Sequence, residues 1–214
     1  PLYSSAASDV YKRQVYTHTK TVLTALLNAG VVPAWVQIGN ETNDGMLWEE
    51  GRASKNMAQF AAMLAAGSKA VRETSASSKV IVHISNGYDN AMFKWMFDGL
   101  TANKVDYDII AMSLYPNVSN WSTLTAQCLS NMNDMVARYK KEIMISEIGM
   151  DVSAAATAKL FIQDIIAKTK LVNQKKGLGV FYWEPQCYNK WKGYTLGAFD
   201  NTGKPTVAMD GFMN

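Results

Sequence analysis

Five short apolar runs, each trailed by an amphipathic stretch, recur along this chain and leave few folds open to it. Trp35 to Ile38 (WVQI), Lys79 to Ile84 (KVIVHI), Tyr107 to Leu114, Glu142 to Ser146 (EIMIS) and Leu178 to Trp183 (LGVFYW) read as strands. Helical patterns lie between them. Met57 to Glu73 turns Met57, Phe60, Leu64 and Val71 inward, and Asn90 to Leu100 does the same with Phe93, Met96 and Phe97. Thr123 to Lys140 uses Leu124, Cys128, Met132, Met135 and Tyr139, and Ala155 to Val172 uses Leu160, Phe161, Ile165 and Ile166. A leading helix from Val15 to Ala29 carries Val22, Leu23, Leu26 and Leu27 on one face, with Gly30 as its stop. The turn-rich DNTGKP near the end leads into a short closing helix from Pro205.

Strand and helix alternating at about 30 to 40 residues per pair indicate βα units on a parallel sheet. Strands apolar on both faces suit a sheet covered by helices. A doubly wound sheet and a (β/α)8 TIM barrel both meet that description. No strand is followed by a Gly-rich phosphate loop, which argues against a nucleotide fold. Polar and aromatic residues instead crowd the C-terminal ends of all five strands: Asn40-Glu41, His83 with Ser85-Asn86, Ser113 with Tyr115, Glu147, and Trp183-Glu184. Barrels build their active sites from those ends. The expected fold is therefore an α/β (β/α)8 barrel. A whole barrel takes roughly 250 residues, and the chain opens on a helix with no strand before it. The expectation is a truncated barrel, with strands 4–8 present and strands 1–3 missing.

Residues 1–14, PLYSSAASDVYKRQ, lack an initiator Met, an apolar signal core and periodicity. They are expected to be a non-native or disordered tail, leaving 15–214 as the partial catalytic domain. The 214 residues are 48% hydrophobic and 18% charged, a globular balance, and the net charge of +3 is too small to point to nucleic acid. No run approaches the roughly 18 apolar residues of a membrane span. Cys128 and Cys187 lack CxxC spacing, so two buried free thiols are expected over a single disulfide. With His18 and His83 the only histidines, neither a multi-His metal centre nor a His-based triad is expected. No metal and no cofactor are expected.

Glu41 and Glu147 carry the chemistry. Each closes a strand, one in Asn-Glu and the other in Ser-Glu-Ile-Gly, where an acidic side chain needs a reason to be. Two carboxyl groups about 5 to 5.5 Å apart suit retaining glycoside hydrolysis, one as nucleophile and one as acid then base; a gap of roughly 6.5 to 9.5 Å suits inversion.

GNETNDGMLW, HISNGYDNAMFKWMFD, MSLYP, MISEIG and GVFYWEP together resemble segments of glycoside hydrolase family 53, the endo-β-1,4-galactanases that cut arabinogalactan. The similarity runs from about Val15 to the C-terminus. It implies a retaining galactanase with Glu41 as acid/base, which must reach the bond protonated, and Glu147 as nucleophile. It implies that Asn40 hydrogen-bonds the sugar 2-hydroxyl, that His83 and Tyr115 line the cleaved sugar's subsite, and that Trp183 lies under its ring; Asn86 and Trp48 are expected to bind substrate as well. Trp48, Trp121 and Trp191 could stack on further galactose rings. Two departures stand out: Ser85 occupies a place where the family commonly has an acidic residue, and the loop GMDVSAAATAKLF has too few oxygen ligands for the calcium site of some relatives. The alternatives are another retaining barrel, mannanase- or cellulase-like, or a catalytically silent polysaccharide-binding fragment. The implied partner is β-1,4-galactan, met by a monomer, secreted or held in the periplasm or at the cell surface.

Overall fold

The computed structural model describes the backbone of residues 2–213 and the side chains of residues 9–213. Helix α1 (Leu2–Asn28) is followed by β1 (Trp35–Gln37), α2 (Met57–Thr74), β2 (Lys79–Ile84), α3 (Asn90–Ala102) and β3 (Ile109–Leu114). Then come α4 (Trp121–Tyr139), β4 (Glu142–Ile148), α5 (Ala155–Lys170), β5 (Gly177–Tyr182) and a closing 3-10 turn, Val207–Phe212. The sheet has five strands in the order β1-β2-β3-β4-β5. Doubly wound sheets reverse their strand order at a switch point, whereas consecutive order is what a (β/α) barrel winds. β1 pairs in parallel with β2, Trp35 opposite Lys79, and β4 with β5, Ile143 opposite Gly177.

The chain divides into two compact units: residues 1–84 with 91–110, and residues 85–90 with 111–214. In the first unit, Gly67 of α2 lets two elements approach closely; an added Cβ would meet Ile38 Cγ2 at 2.7 Å and Val15 Cγ1 at 3.2 Å. Asn56 caps α2 by accepting from the Gln59 N–H at 3.1 Å. Arg72, near the other end of α2, donates to Asp106 at 2.8 Å and to Asp108 at 2.9 Å, while Asp108 also accepts from the Val80 N–H at 2.7 Å. One guanidinium thus ties a helix to the start of β2 and the approach to β3. In the second unit, buried Asn131 of α4 donates to the Gly87 carbonyl at 2.8 Å and accepts from Asn90 at 2.9 Å, holding the loop between β2 and α3.

Helix α1 runs from Leu2 through the stretch expected as a tail, with no Gly or Pro to interrupt it before Gly30. Pro1, the first residue of that tail, lies outside the described residues. Other sequence expectations need correction. Val22 and Leu160, read as inward, are 44% and 53% exposed; Leu23, read as inward with Val22, is buried, and Ile162 is buried in α5. Strands β2, β3 and β4 are deeply buried, but β1 and β5 are not. Each of those two has one strand neighbour instead of two, so their apolar character overstated their cover. Both cysteines are free thiols; Cys128 is buried but Cys187 is only half-buried.

Candidate active site

In the first unit the site is built where β1 runs out. The Ile38 N–H still donates to the Ile81 carbonyl at 3.1 Å, and then the backbone turns sharply. Gly39 has φ +78°, and a Cβ there would strike Thr42 Cγ2 at 2.6 Å, so only glycine fits. Glu41 follows with φ +44°, a left-handed conformation uncommon outside glycine. Such a conformation persists where surrounding contacts fix it. Thr42 does this: its N–H and hydroxyl both donate to the His83 carbonyl, at 2.9 and 3.1 Å.

Asn40, Glu41 and His83 are thereby brought together. Asn40 Oδ1 and the Glu41 nitrogen lie 3.1 and 3.4 Å from His83 Nδ1. The Asn40 and Glu41 side chains are exposed while His83 is fully buried. Burial pushes the His83 imidazole down from 6.5 to about 4, so it is neutral across the physiological range.

Trp48 stands on the loop that follows. Gly45 and Arg52 pair as an antiparallel bridge, and Asp44 accepts from Arg52 Nε at 2.9 Å and the Ser54 N–H at 2.7 Å. Burial works to raise the Asp44 carboxyl, but the Ser54 and Arg52 hydrogen bonds outweigh it and hold the group below its usual range. The Trp48 indole N–H donates to the Asp44 carbonyl at 2.9 Å, and the Arg52 guanidinium sits 4.4 Å from the Trp48 ring. The indole is 55% exposed, an aromatic surface held in place by a cation–π contact.

In the second unit, Glu147 lies within β4 one residue before its end and is buried. The Tyr115 hydroxyl donates to Glu147 Oε2 at 2.9 Å. Gly149 makes room for that tyrosine, since a Cβ there would meet Tyr115 Cε1 at 2.9 Å. The glycine of Ser-Glu-Ile-Gly therefore serves the acid two residues earlier. Beyond β4, the Trp183 N–H donates to the Ile148 carbonyl at 2.9 Å, and the Tyr194 hydroxyl to the Trp183 carbonyl at 3.2 Å. Trp183 itself is 46% exposed. Asn86 is exposed at φ +54° with its carbonyl accepting from the Asp89 N–H at 2.7 Å.

Sequence reasoning passed over Gln37, Arg52 and Gly149. A polar residue in a strand and an Arg in a loop read as surface; only SEIG offered a signal, as a glycine beside an acid. Among the described residues, no group of three or more His, Cys, Asp or Glu side chains could hold a metal ion, and no helix is long and apolar enough to cross a membrane.

The family model for glycosyl hydrolase family 53 matches residues 3–160. An arabinogalactan endo-β-1,4-galactanase of Thermothelomyces thermophilus is 29% identical over 193 residues, covering 80% of this chain and 58% of the relative. An endo-β-1,4-galactanase of Bacillus subtilis strain 168 is 28% identical over 208 residues, covering 86% and 46%. The chain therefore spans about half the length of these relatives. A solved structure of a fungal β-1,4-galactanase superposes with a TM-score of 0.84 at 24% identity, over 95% of this chain and 68% of that one. The fold is that of a (β/α) barrel.

Proposed function

The chain belongs to glycosyl hydrolase family 53, and from that premise we propose that it supplies the catalytic residues of an endo-β-1,4-galactanase that retains configuration. The observation that carries the proposal is Glu147: a buried acid at a strand end, its carboxylate held by the Tyr115 hydroxyl at 2.9 Å. That hydrogen bond fixes the orientation of the carboxylate, as attack along one line requires. The two curated relatives above carry galactanase names.

In this reading Glu147 attacks the anomeric carbon while Glu41 gives its proton to the departing glycosidic oxygen. A covalent galactosyl ester on Glu147 results. Glu41, now a carboxylate, takes a proton from water, whose oxygen displaces the ester and restores both groups. Asn40 holds the sugar 2-hydroxyl with buried His83 behind it, Asn86 and Tyr115 are further substrate contacts, and Trp183 and Trp48 offer aromatic faces to galactose rings. The chemistry requires both carboxyl groups to flank one bond. A polymer of this kind lies outside cells, which would place the protein there too.

The test uses the complete gene product that carries this sequence, assayed on pectic galactan, mannan and cellulose. Galactan cleavage is expected, abolished by Glu147→Ala and partly restored by azide, with the azide product inverted. Cleavage of mannan or cellulose alone would replace the substrate, and a variant keeping most of its activity would remove Glu147 from its role. Binding of galactan without turnover would favour a silent polysaccharide-binding protein.

A further inference from the structure

The amide of Asn40, the residue before the proposed acid, has two ends, and only one can face the sugar. In this chain three neighbours decide which. Gln37, the last residue of β1, donates through Nε2 to the Gly39 carbonyl at 2.9 Å and to Asn40 Oδ1 at 3.1 Å. His83 Nδ1 lies 3.1 Å from the same oxygen.

A backbone carbonyl can only accept, so Gly39 fixes which end of the Gln37 amide is nitrogen. That nitrogen's second hydrogen then requires an acceptor at Asn40, which must be Oδ1. Reversing the Asn40 amide would set its NH2 against the Gln37 NH2, donor against donor. Asn40 Oδ1 therefore takes Gln37 on one lone pair and a protonated His83 Nδ1 on the other. The Glu41 N–H also points at His83 Nδ1, from 3.4 Å. An N–H···N bond there would need a bare nitrogen, whose lone pair would face Asn40 Oδ1 at 3.1 Å. With Asn40 Oδ1 already fixed as an acceptor by Gln37, Nδ1–H is the tautomer that gives this oxygen a second donor, at the expense of the Glu41 contact. Among the described residues the Asn40 amide nitrogen makes no hydrogen bond, and the residue is exposed.

We propose that Gln37 is a positioning residue that, anchored on the Gly39 carbonyl, turns both Asn40 N–H donors outward, so that the site demands a hydrogen-bond acceptor at the 2-position of the cleaved sugar. This rests on the galactanase reading for the identity of the sugar, but not for the orientation of the amide. Gln37 touches no substrate; it acts through Asn40. Its reach is set by register: as the last residue of β1 it has the amide length to span Gly39 and meet Asn40 at the turn.

Two measurements test it. In the complete gene product, kcat/KM is compared for an aryl β-1,4-galactobioside and its counterpart lacking the 2-hydroxyl on the cleaved sugar. The wild type is expected to prefer the parent by about a hundredfold or more, since a site built to bond a hydroxyl rejects its absence strongly. Gln37→Met removes the anchor, and Gln37→Glu presents only acceptors to Asn40 Oδ1 and favours the reversed amide. Both are expected to cost about tenfold or more on the parent, the worth of a lost directed hydrogen bond, while leaving the 2-deoxy substrate nearly unchanged. Equal losses on both substrates, or none, would overturn the proposal.

The second measurement needs no turnover. In the 214-residue chain, imidazole 15N shifts at neutral pH are expected to show His83 protonated at Nδ1, and Gln37→Glu to move the proton to Nε2. A bare Nδ1 in the wild type would overturn the proposal whatever the enzyme does. Protonated Nδ1 with the Gln37-dependent switch, in a protein that cleaves no galactan, would keep the positioning and discard the substrate.

Discussion

At the scale of single residues, burial sets the protonation of His83. His83 is fully enclosed, its imidazole pushed down from 6.5 to about 4. A folded-state value below the unfolded one means that the unfolded chain binds the proton first. His83 therefore costs no stability above about pH 6.5, and stability is lost as pH falls from there toward about 4, by at most ~1.4 kcal/mol per pH unit. Urea unfolding of wild type and His83→Gln from pH 8 to 4 should show the wild type losing ground to the variant below pH 6.5. A pH-independent difference would contradict the buried neutral imidazole. Residues of this kind were only half legible. Glu41 and Glu147 stood out because acids rarely end apolar strands, but Gln37 did not, since its partners are set by a turn that no spacing rule encodes.

At the scale of elements, the five strands and their helices were legible because period-2 and period-3.6 apolar patterns seldom coincide over this length. β2 matches its sequence-predicted limits, Lys79 to Ile84. What pattern could not supply was exposure: a helix face wraps further than its apolar stripe, so Val22 and Leu160 were read as inward, and outer strands look like inner ones. The ties between elements were equally hidden. Arg72 joins α2 to Asp106 and Asp108, carboxylates more than thirty residues away in the chain. The guanidinium is about two-thirds buried but Asp106 is mostly exposed, so solvent screens part of the attraction. Arg72→Ala is expected to lower unfolding free energy by about 1–2 kcal/mol. Arg72→Lys should recover little, because one ammonium cannot present a planar fork to two carboxylates. Full recovery by lysine in a denaturant melt would show that charge alone matters there.

At the scale of the molecule, protection should follow the sheet. β2, β3 and β4 have strand neighbours on both sides and buried side chains, whereas β1 and β5 have one neighbour and are half-exposed. Hydrogen exchange read by mass spectrometry should find the slowest amides in β2–β4 and faster exchange in β1 and β5. Equal protection of β1 and β3 would mean that another surface covers the outer strand. Family membership and fold rest on most of the chain, while the catalytic proposal rests on two carboxyl groups. Its most direct test is to trap the covalent intermediate. An activated 2-fluoro-galactobioside is incubated with the complete gene product, which is then digested and mapped by mass spectrometry. One 2-fluoro-galactobiosyl group is expected on the peptide carrying Glu147, absent in Glu147→Gln; a label on Glu41 or elsewhere, or turnover with inversion and no label, would contradict the account.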